Sequence, residues 1–315
     1  MTSILISGIG GDIAQATASI VRKAFPDWRI HGLDMDTRHG GRLYVDQFAI
    51  APPANSAGFV AWLEEFVVLH EITYCLPMSE AELAVLAKVC DGQVGPAQLL
   101  WAGKKAVGIG CDKLRTAEFI RSIGIPAPWT LPATAEVSPP EFPCLFKLRQ
   151  SAGSKAVFVC KTIDEIHFYR ERYPEAVIQE YLPDAEREVT CAVYRSRSGR
   201  TEVLQMLRRL VGGFTGWAEV IDEMPVREQC VKIAEALDLF GAINIQLQLT
   251  AAGPRIFEIN PRLSSTVLMR HLTGYTDVLW MLEEAAGRDF QPEPQTPGIV
   301  LVRTQGAAIV PASKE

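Results

Sequence analysis

This sequence of 315 residues lacks the features that mark several classes of protein. Its seven cysteines form no Cys-x-x-Cys pair and no histidine stands at metal-ligand spacing, which argues against a zinc site and a disulfide framework. No apolar run approaches the roughly 20 residues of a membrane span, and the N-terminal segment has neither the basic region nor the cleavage pattern of a signal peptide. We therefore expect a cytoplasmic protein without a membrane partner.

An excess of positive charge is also absent. The 31 Lys and Arg residues are outnumbered by 37 Asp and Glu residues, and the formal net charge of -6 argues against a nucleic-acid partner. The sequence has no low-complexity segment and no internal repeat. With 48% hydrophobic and 22% charged residues, the composition is that of an ordinary globular protein, and the length favours about two domains.

The N-terminal residues predict a Rossmann-like domain. A short apolar strand at residues 3–7 runs into a glycine turn at residues 8–11, and a helix and a second strand ending in Asp34 follow. This order resembles a dinucleotide-binding fingerprint, although Ile13 stands at the third glycine position. We favour glycines that only allow a tight turn, and a bound dinucleotide is the alternative.

A domain boundary is predicted after the first 110 residues. Asp112 has the character of an N-cap for a helix over residues 113–123, and Gly124 follows as its stop signal. Six prolines between residues 126 and 143 indicate an extended connector.

Two short strands follow the connector. The first, residues 144–148, contains Lys147, and the second covers residues 155–160. Between them lies a loop of small residues that includes Ser151 and Gly153. Such a hairpin can fold over a triphosphate, with backbone N–H groups from the loop and charge from Lys147. An ordinary β-turn is the alternative.

A second hairpin, over residues 241–260, carries a line of oxygen-bearing side chains. Apolar and polar residues alternate from residue 243 to 250, and a turn at residues 252–254 leads into a second strand. Folding about position 252 places Gln246 opposite Glu258 and Asn244 opposite Asn260. Carboxylate and amide oxygens suit a hard cation such as Mg²⁺. A solvated sheet face is the alternative.

This hairpin resembles the closing motif of the ATP-grasp superfamily, in the branch typified by the carbamoyl phosphate synthetase large subunit. The matching string is Asn244-x-Gln246 followed by Glu258-Ile259-Asn260-Pro261-Arg262. The resemblance implies an ATP-grasp fold of mixed α/β and α+β class. It divides the chain into a Rossmann-like domain at 1–110, a junction helix and lid subdomain at 111–183, and a C-terminal subdomain at 184–315.

The same resemblance implies roles for individual residues. The metal ligands would be Gln246, Glu258 and Asn260, and the catalytic cations would be Arg262 and Lys147. Glu188 would bond the ribose, with Glu186 as a competing candidate. The full predicted nucleotide-binding set is Lys113, Lys147, Ser151, Gly153, Glu180, Tyr181, Leu182, Glu188 and Gln246.

Two further segments are predicted to bind substrate. A loop over residues 207–216 carries Arg208, Arg209 and Gly213 and could clamp an anion, with a mobile surface connector as the alternative. A helix beginning at Ser264 and Ser265 could direct its first amides at an acyl or phosphate oxygen.

The resemblance implies an enzyme that joins a carboxylate to an amine through an acyl phosphate, with release of ADP and phosphate. Its cofactors would be ATP and Mg²⁺, with Mn²⁺ as an alternative to Mg²⁺, and its partners would be a small carboxylate and a small amine. The resemblance leaves open whether the protein forms a homodimer. The alternatives from other classes are a nicotinamide-dependent oxidoreductase, built on the N-terminal glycine turn, and an ATP-binding module without catalysis.

Overall fold

The computed structural model of the protein describes residues 1–134, 136–150, 156–183, 187–304 and 306–309. Across these residues the chain forms three β-sheets, of six, four and six strands, with helices packed against them. Each sheet takes its strands from one of the three segments predicted from the sequence, although the division into domains stays a prediction. Within these ranges, no helix is both long and apolar enough to cross a membrane.

The first sheet belongs to the N-terminal segment. Its strands are β1 (Ser3–Ser7), β2 (Arg29–Asp34), β3 (Gln47–Ile50), β4 (Tyr74–Leu76), β5 (Gln93–Val94) and β6 (Ala97–Leu99). Its helices are α1 (Asp12–Ala24), a 3₁₀ helix (Gly40–Tyr44), α2 (Phe59–Leu69), α3 (Glu80–Val89) and α4 (Gly103–Gly110). The strand order is β3-β2-β1-β4-β6-β5, parallel except for β5, and β1 is buried along its whole length. The predicted Rossmann-like topology is confirmed.

The second sheet follows the junction helix, α5 (Lys113–Ser122). Asp112 caps this helix as predicted, because its Oδ1 accepts from the backbone N–H groups of Leu114 at 3.0 Å and Arg115 at 3.2 Å. The strands are β7 (Thr130–Pro132), β8 (Cys144–Leu148), β9 (Val157–Cys160) and β10 (Ala176–Glu180), with α6 (Ile163–Arg172) before β10. They lie in the antiparallel order β7-β10-β8-β9.

The third sheet is antiparallel throughout. Its strands are β11 (Glu188–Arg195), β12 (Thr201–Val211), β13 (Phe214–Ile221), β14 (Gly241–Thr250), β15 (Gly253–Asn260) and β16 (Val300–Val302), in the order β15-β14-β11-β12-β13-β16. Its helices are α7 (Met224–Ala236), α8 (Val267–Leu272) and α9 (Asp277–Ala285). One hydrophobic core joins this sheet to the first, since Ile4 and Ile6 belong to the same cluster as Tyr194 and Trp280. The first sheet thereby packs against the third sheet.

Two sequence-based predictions are wrong in this region. Residues 207–216 are not a loop: β12 runs through to Val211 and only Gly212 and Gly213, both with positive φ, make the turn into β13. The helix predicted from Ser264 begins at Val267 and has six residues. The hydroxyl groups of Ser264 and Thr266 lie 2.8 Å apart, and both accept from the buried Arg270, so the segment before the helix is held by side-chain bonds.

A buried histidine in the first sheet is expected to make the stability of the fold sensitive to acid. His31 in β2 is fully buried, and neither ring nitrogen has a hydrogen bond to a residue that the structure describes. Burial, with help from His70 and Arg29 and against the attraction of Asp46, lowers its pKa from 6.5 to about 4. Above pH 6.5 the ring is neutral in both the folded and the unfolded chain, and the free energy of unfolding is unaffected by its titration. As the pH falls from 6.5 toward 4, only the unfolded chain gains the proton, so the free energy of unfolding falls.

We expect the free energy of unfolding to fall by about 1 to 3 kcal/mol between pH 7 and pH 4.5 because of His31. Urea denaturation at several pH values measures this dependence, and His31→Leu should flatten it by removing the titrating ring. An equal acid sensitivity in the variant and the natural protein would contradict the prediction.

Candidate functional site

A cavity of about 220 Å³ opens between the second and third sheets. Each sheet contributes polar side chains to it, which is the arrangement expected of a small-molecule site. The second sheet contributes Lys147 and Gln179, and the third contributes Glu188, Gln246 and Glu258. The remaining residues of the wall are Lys113, Leu145, Val157, Glu180, Leu182, Arg208, Leu210, Gln248 and Phe257.

The hairpin of β14 and β15 has the predicted register. Gln246 pairs with Glu258 and Asn244 pairs with Asn260. Between Gln246 and Leu247 the register shifts by one residue, which is a β-bulge. The period-two pattern did not predict the bulge, although apolar residues at 256, 257 and 259 break strict alternation.

The bulge brings Phe257 into the cavity. Strict period-two alternation would put Phe257 on the same side of β15 as Ile259, and the bulge prevents this. Ile256 and Ile259 are the core residues of β15, whereas Phe257 and Glu258 both line the cavity. The ammonium group of Lys147 lies 5.4 Å from the centre of the Phe257 ring, so the aromatic ring helps to hold the cation.

Glu258 and Asn260 form a donor set that fits Mg²⁺. The carboxylate of Glu258 lines the cavity and has no hydrogen bond or ion pair to any residue within the described ranges. Asn260 lies two residues away on the same strand, outside the cavity wall and at 6% exposure. Its amide oxygen accepts from Arg262 at 3.3 Å and keeps a second lone pair that suits a hard cation. Gln246 faces Glu258 across the strands, and its role as a third ligand stays a prediction.

Lys147 is buried in surroundings that favour its neutral form. Its Nζ donates to Oε1 of Gln179 at 2.8 Å, and Gln179 in turn donates to the hydroxyl of Thr130 at 2.9 Å. Burial lowers the pKa of Lys147 to about 8, although Glu258 opposes the shift. Sequence reasoning missed Gln179. The one sign of its role in the sequence was an amide side chain within the otherwise apolar part of the strand AVIQE.

Arg262 joins the hairpin of β14 and β15 to Glu80 of α3 and lies outside the wall of the cavity. Its Nη2 donates to Glu80 at 2.6 Å and to Oδ1 of Asn260 at 3.3 Å, and its Nη1 donates to the Leu263 carbonyl at 3.0 Å. Arg262 and Glu80 side chains are 13% and 16% exposed. Sequence reasoning missed Glu80, because nothing local links positions 182 residues apart.

The end of β10, at Glu180, is bonded to β15 of the third sheet. The Glu180 carboxylate accepts from Arg255 at 2.6 Å and from the backbone N–H of Trp129 at 3.1 Å. Glu180 and Leu182 line the cavity, whereas Tyr181 is not part of its wall. Recognition of an adenine by this backbone stays a prediction. Arg255 is a further residue that sequence reasoning missed.

The predicted substrate-binding residues do not lie together. Arg208 lines the cavity, but Arg209 on the opposite face of β12 is exposed and lies 5.8 Å from the Trp217 ring. Gly213 lies at the exposed turn.

Ser264 is buried beside Arg270, and the carbonyl of Ser265 accepts from Arg303. The predicted residues Ser151 and Gly153, and the candidate Glu186, lie outside the described residues.

The N-terminal glycine turn is filled by the protein's own side chains. Gly10 donates its backbone N–H to Asp34 at 2.8 Å. A Cβ atom on Gly10 would lie 2.7 Å from Cδ2 of His39 and 2.9 Å from Oδ2 of Asp34. A dinucleotide phosphate needs these amides and this space, so the geometry favours the interpretation of a structural turn.

Known proteins share the fold of this chain. A family model described as "ATP-grasp in the biosynthetic pathway with Ter operon" matches residues 172–306. The ADP complex of an N5-carboxyaminoimidazole ribonucleotide synthetase superposes with a TM-score of 0.77 over 96% of this chain and 81% of that chain, at 18% identity. The chain has the ATP-grasp fold. The fold class predicted from the hairpin motif is thus confirmed, and the predicted resemblance to the ATP-grasp superfamily is confirmed over residues 172–306.

Other known proteins are also similar to this chain in fold or in part of the sequence. The biotin carboxylase domain of the Hydrogenobacter thermophilus 2-oxoglutarate carboxylase, solved with MgADP and bicarbonate, superposes with a TM-score of 0.73 over 92% of this chain and 70% of that chain, at 13% identity. The carbamoyl phosphate synthase large chain of Pyrococcus furiosus is 23% identical over 52% of this chain and 18% of its own length. A D-alanine–D-alanine ligase of Thermotoga petrophila is 35% identical over 30% of this chain and 32% of its own length. Each of these two alignments spans less than two thirds of the length of the relative that it matches.

Proposed function

We propose that this ATP-grasp protein is an ATP- and Mg²⁺-dependent ligase that joins a carboxylate to an amine through an acyl phosphate. The observation that carries the proposal is the cavity between the second and third sheets. It brings Lys113 and Lys147 together with Glu188 and with the carboxylate of Glu258, which has no hydrogen bond or ion pair to a residue that the structure describes. Cations for phosphates and a hard-metal carboxylate in one cavity support phosphoryl transfer.

The reaction follows from the placement of the charges. A substrate carboxylate attacks the terminal phosphorus of ATP, the bond to the bridging oxygen breaks, and ADP leaves. Lys113, Lys147 and Arg262 stabilise the phosphoryl oxygens during this transfer. Mg²⁺ held by Glu258 and Asn260 would offset the charge that develops on the phosphates. The amine then displaces phosphate from the acyl phosphate, and no side-chain nucleophile is required.

The substrates are to be identified by a screen for ADP release. Amino acids and small organic acids, bicarbonate among them, are offered to the full chain singly and in pairs with Mg·ATP. Release that requires a pair would support ligation and name both substrates. ATP binding without release across the panel would favour the non-catalytic module, and nicotinamide binding without ATP binding would favour the oxidoreductase.

The lowered pKa of Lys147 predicts a pH dependence of nucleotide affinity. Lys147 is charged below about pH 8 and neutral above it, and a phosphate binds the charged form. Affinity for a non-hydrolysable ATP analogue should therefore fall up to about tenfold per pH unit above pH 8. Calorimetric titration between pH 7 and pH 9.5 measures this slope. Lys147→Arg should flatten it, since a guanidinium stays charged, and a flat profile in the natural protein would contradict the assignment.

A further inference from the structure

A second cavity, of about 620 Å³, lies between the helices of the first sheet and one end of the second sheet. Lys88 of α3, Lys104 of α4, Arg115 of α5 and Arg149, which follows β8, mark its walls. Among the residues that the structure describes, none lines both this cavity and the one between the second and third sheets. The volume is within the range typical of small-molecule sites.

The walls of the second cavity carry more positive than negative charge. Four cationic side chains line it, against the two carboxylates of Asp112 and Glu175, although the whole chain has a net charge of -6. Asp112 is already engaged, because its Oδ2 lies 2.8 Å from Nη2 of Arg149 and 3.7 Å from Nε of Arg115. The carboxylates of the wall therefore leave cations uncompensated, and a small anion would balance them.

Two of these cations offer hydrogen-bond donors from opposite walls. Lys88 forms no hydrogen bond or ion pair with any residue in the described ranges. Arg149 donates to Asp112 through Nε and Nη2, and its Nη1 has no hydrogen bond to a described residue. An ammonium and a partly free guanidinium on facing walls suit the oxygens of a phosphate group.

Another part of the wall is apolar. Val107, Ala133 and Ala176 line the cavity and belong to the buried residues of the protein. Inorganic phosphate would leave this surface in contact with water, whereas the organic part of a phosphate ester would cover it. The wall therefore favours an organic phosphate over the free anion.

A ligand in the second cavity would act on the position of the second sheet. The first and third sheets share one hydrophobic core, whereas the core cluster of the second sheet draws, in the described part of the chain, on residues 129–178 alone. A phosphate bound to both Lys88 and Arg149 would bond the second sheet to the first, and so hold it in place relative to the third. Arg149 also accepts, through its carbonyl, from the backbone N–H of Lys113 at 3.1 Å, and Lys113 lines the cavity between the second and third sheets.

We propose that the second cavity is a regulatory site for a small organic phosphate, and that its occupation raises the affinity for nucleotide in the cavity between the second and third sheets. The bound phosphate pre-organises the walls between which the nucleotide binds. Because coupling of this kind is reciprocal, nucleotide raises the affinity for the phosphate by the same factor. The inference rests on the proposed function only in placing ATP between the second and third sheets.

The first test uses phenyl phosphate as the probe, because it joins a phosphate to an apolar ring. It is titrated calorimetrically into the full chain with Mg²⁺ and a saturating non-hydrolysable ATP analogue, so that the nucleotide site is already filled. We expect one site that binds phenyl phosphate at least about fivefold more tightly than inorganic phosphate. No saturable binding, or equal affinities for the two anions, would overturn the proposal.

The second test locates the site. Lys88→Gln should lower the affinity for phenyl phosphate by about tenfold, because it removes a charged donor. The fold should tolerate the change, since Lys88 is exposed, and the affinity for the analogue alone should stay within about twofold. Lys232→Gln, the same change at an exposed position of α7, is the matched control and should alter neither affinity. Unchanged binding of phenyl phosphate in Lys88→Gln would overturn the proposal.

The third test measures the coupling. Saturating phenyl phosphate should raise the affinity of the natural protein for the analogue by about fivefold or more, and by less in Lys88→Gln. An unchanged or lowered affinity in the natural protein would overturn the inference even if ligation were found. Failure of the proposed ligase is separate, because it would appear as an absence of ADP release with every substrate pair, which these binding measurements do not require.

Discussion

Glu258→Gln is expected to lower Mg²⁺-dependent ADP release by about 10³-fold while the protein stays folded. The substitution exchanges a charged oxygen ligand for a neutral amide of the same shape. The fold should tolerate it, because the Glu258 carboxylate forms no hydrogen bond or ion pair with a described residue and lies at the cavity wall. Initial rates across a range of Mg²⁺ concentrations measure the effect, and circular dichroism with thermal melting measures the fold.

A matched control is Glu235→Gln, which makes the same change on the exposed side of α7. Its rate and melting temperature should equal those of the natural protein. Asn260→Ala should also suppress turnover, since it removes the second hard oxygen. Rates near normal in both Glu258→Gln and Asn260→Ala would reject the metal assignment, whatever the substrates prove to be.

The part of the site that could be predicted is the part set by local sequence. Alternating polarity and a turn at residues 252–254 determine which residues of β14 and β15 face each other, so Gln246 and Glu258 could be paired by position alone. The bulge was missed because it depends on how Ile256 and Ile259 both reach the core, which a period-two pattern does not represent.

The missed residues are those whose partners come from another part of the chain. Glu80 contacts Arg262 and Arg255 contacts Glu180, and each pair forms only after the N-terminal domain, the second sheet and the third sheet have packed together. Arg208 was expected in a loop because two arginines precede two glycines. The structure instead extends β12 beyond them, and strand alternation sends Arg208 into the cavity and Arg209 to the outside.

The glycine turn shows a different limit of sequence analysis. Its residues are compatible both with an open phosphate site and with a closed turn. The side chains of Asp34 and His39 close it, and His39 is placed by the 3₁₀ helix that follows it. The closed turn therefore favours the cavity between the second and third sheets as the proposed nucleotide site, and Arg262, which lies outside the wall of that cavity, joins the hairpin to Glu80 of α3.

Arg262→Ala is expected to suppress the formation of the acyl phosphate more than the binding of ATP. When hydroxylamine replaces the natural amine, the proposed ligase should convert its carboxylic acid into a hydroxamate, with ADP and phosphate as the nucleotide products. Arg262 donates to Asn260, a proposed metal ligand, so under the proposed function its charge would act on the phosphoryl group as that group gains negative charge. Loss of that charge should lower the hydroxamate yield by about 10²-fold and the affinity for an ATP analogue by less than about tenfold.

Two comparisons make this last prediction specific. Arg262→Lys keeps a positive charge but cannot donate to Glu80, Asn260 and the Leu263 carbonyl together, so it should retain an intermediate yield. Glu80→Gln keeps Arg262 and removes only its ionic partner, so hydroxamate formation should persist at a reduced rate. Release of AMP and pyrophosphate, or an undiminished hydroxamate yield in Arg262→Ala, would reject the acyl phosphate mechanism. Neither result would alter the assignment of the ATP-grasp fold, because the fold rests on the three sheets and not on the charge of Arg262.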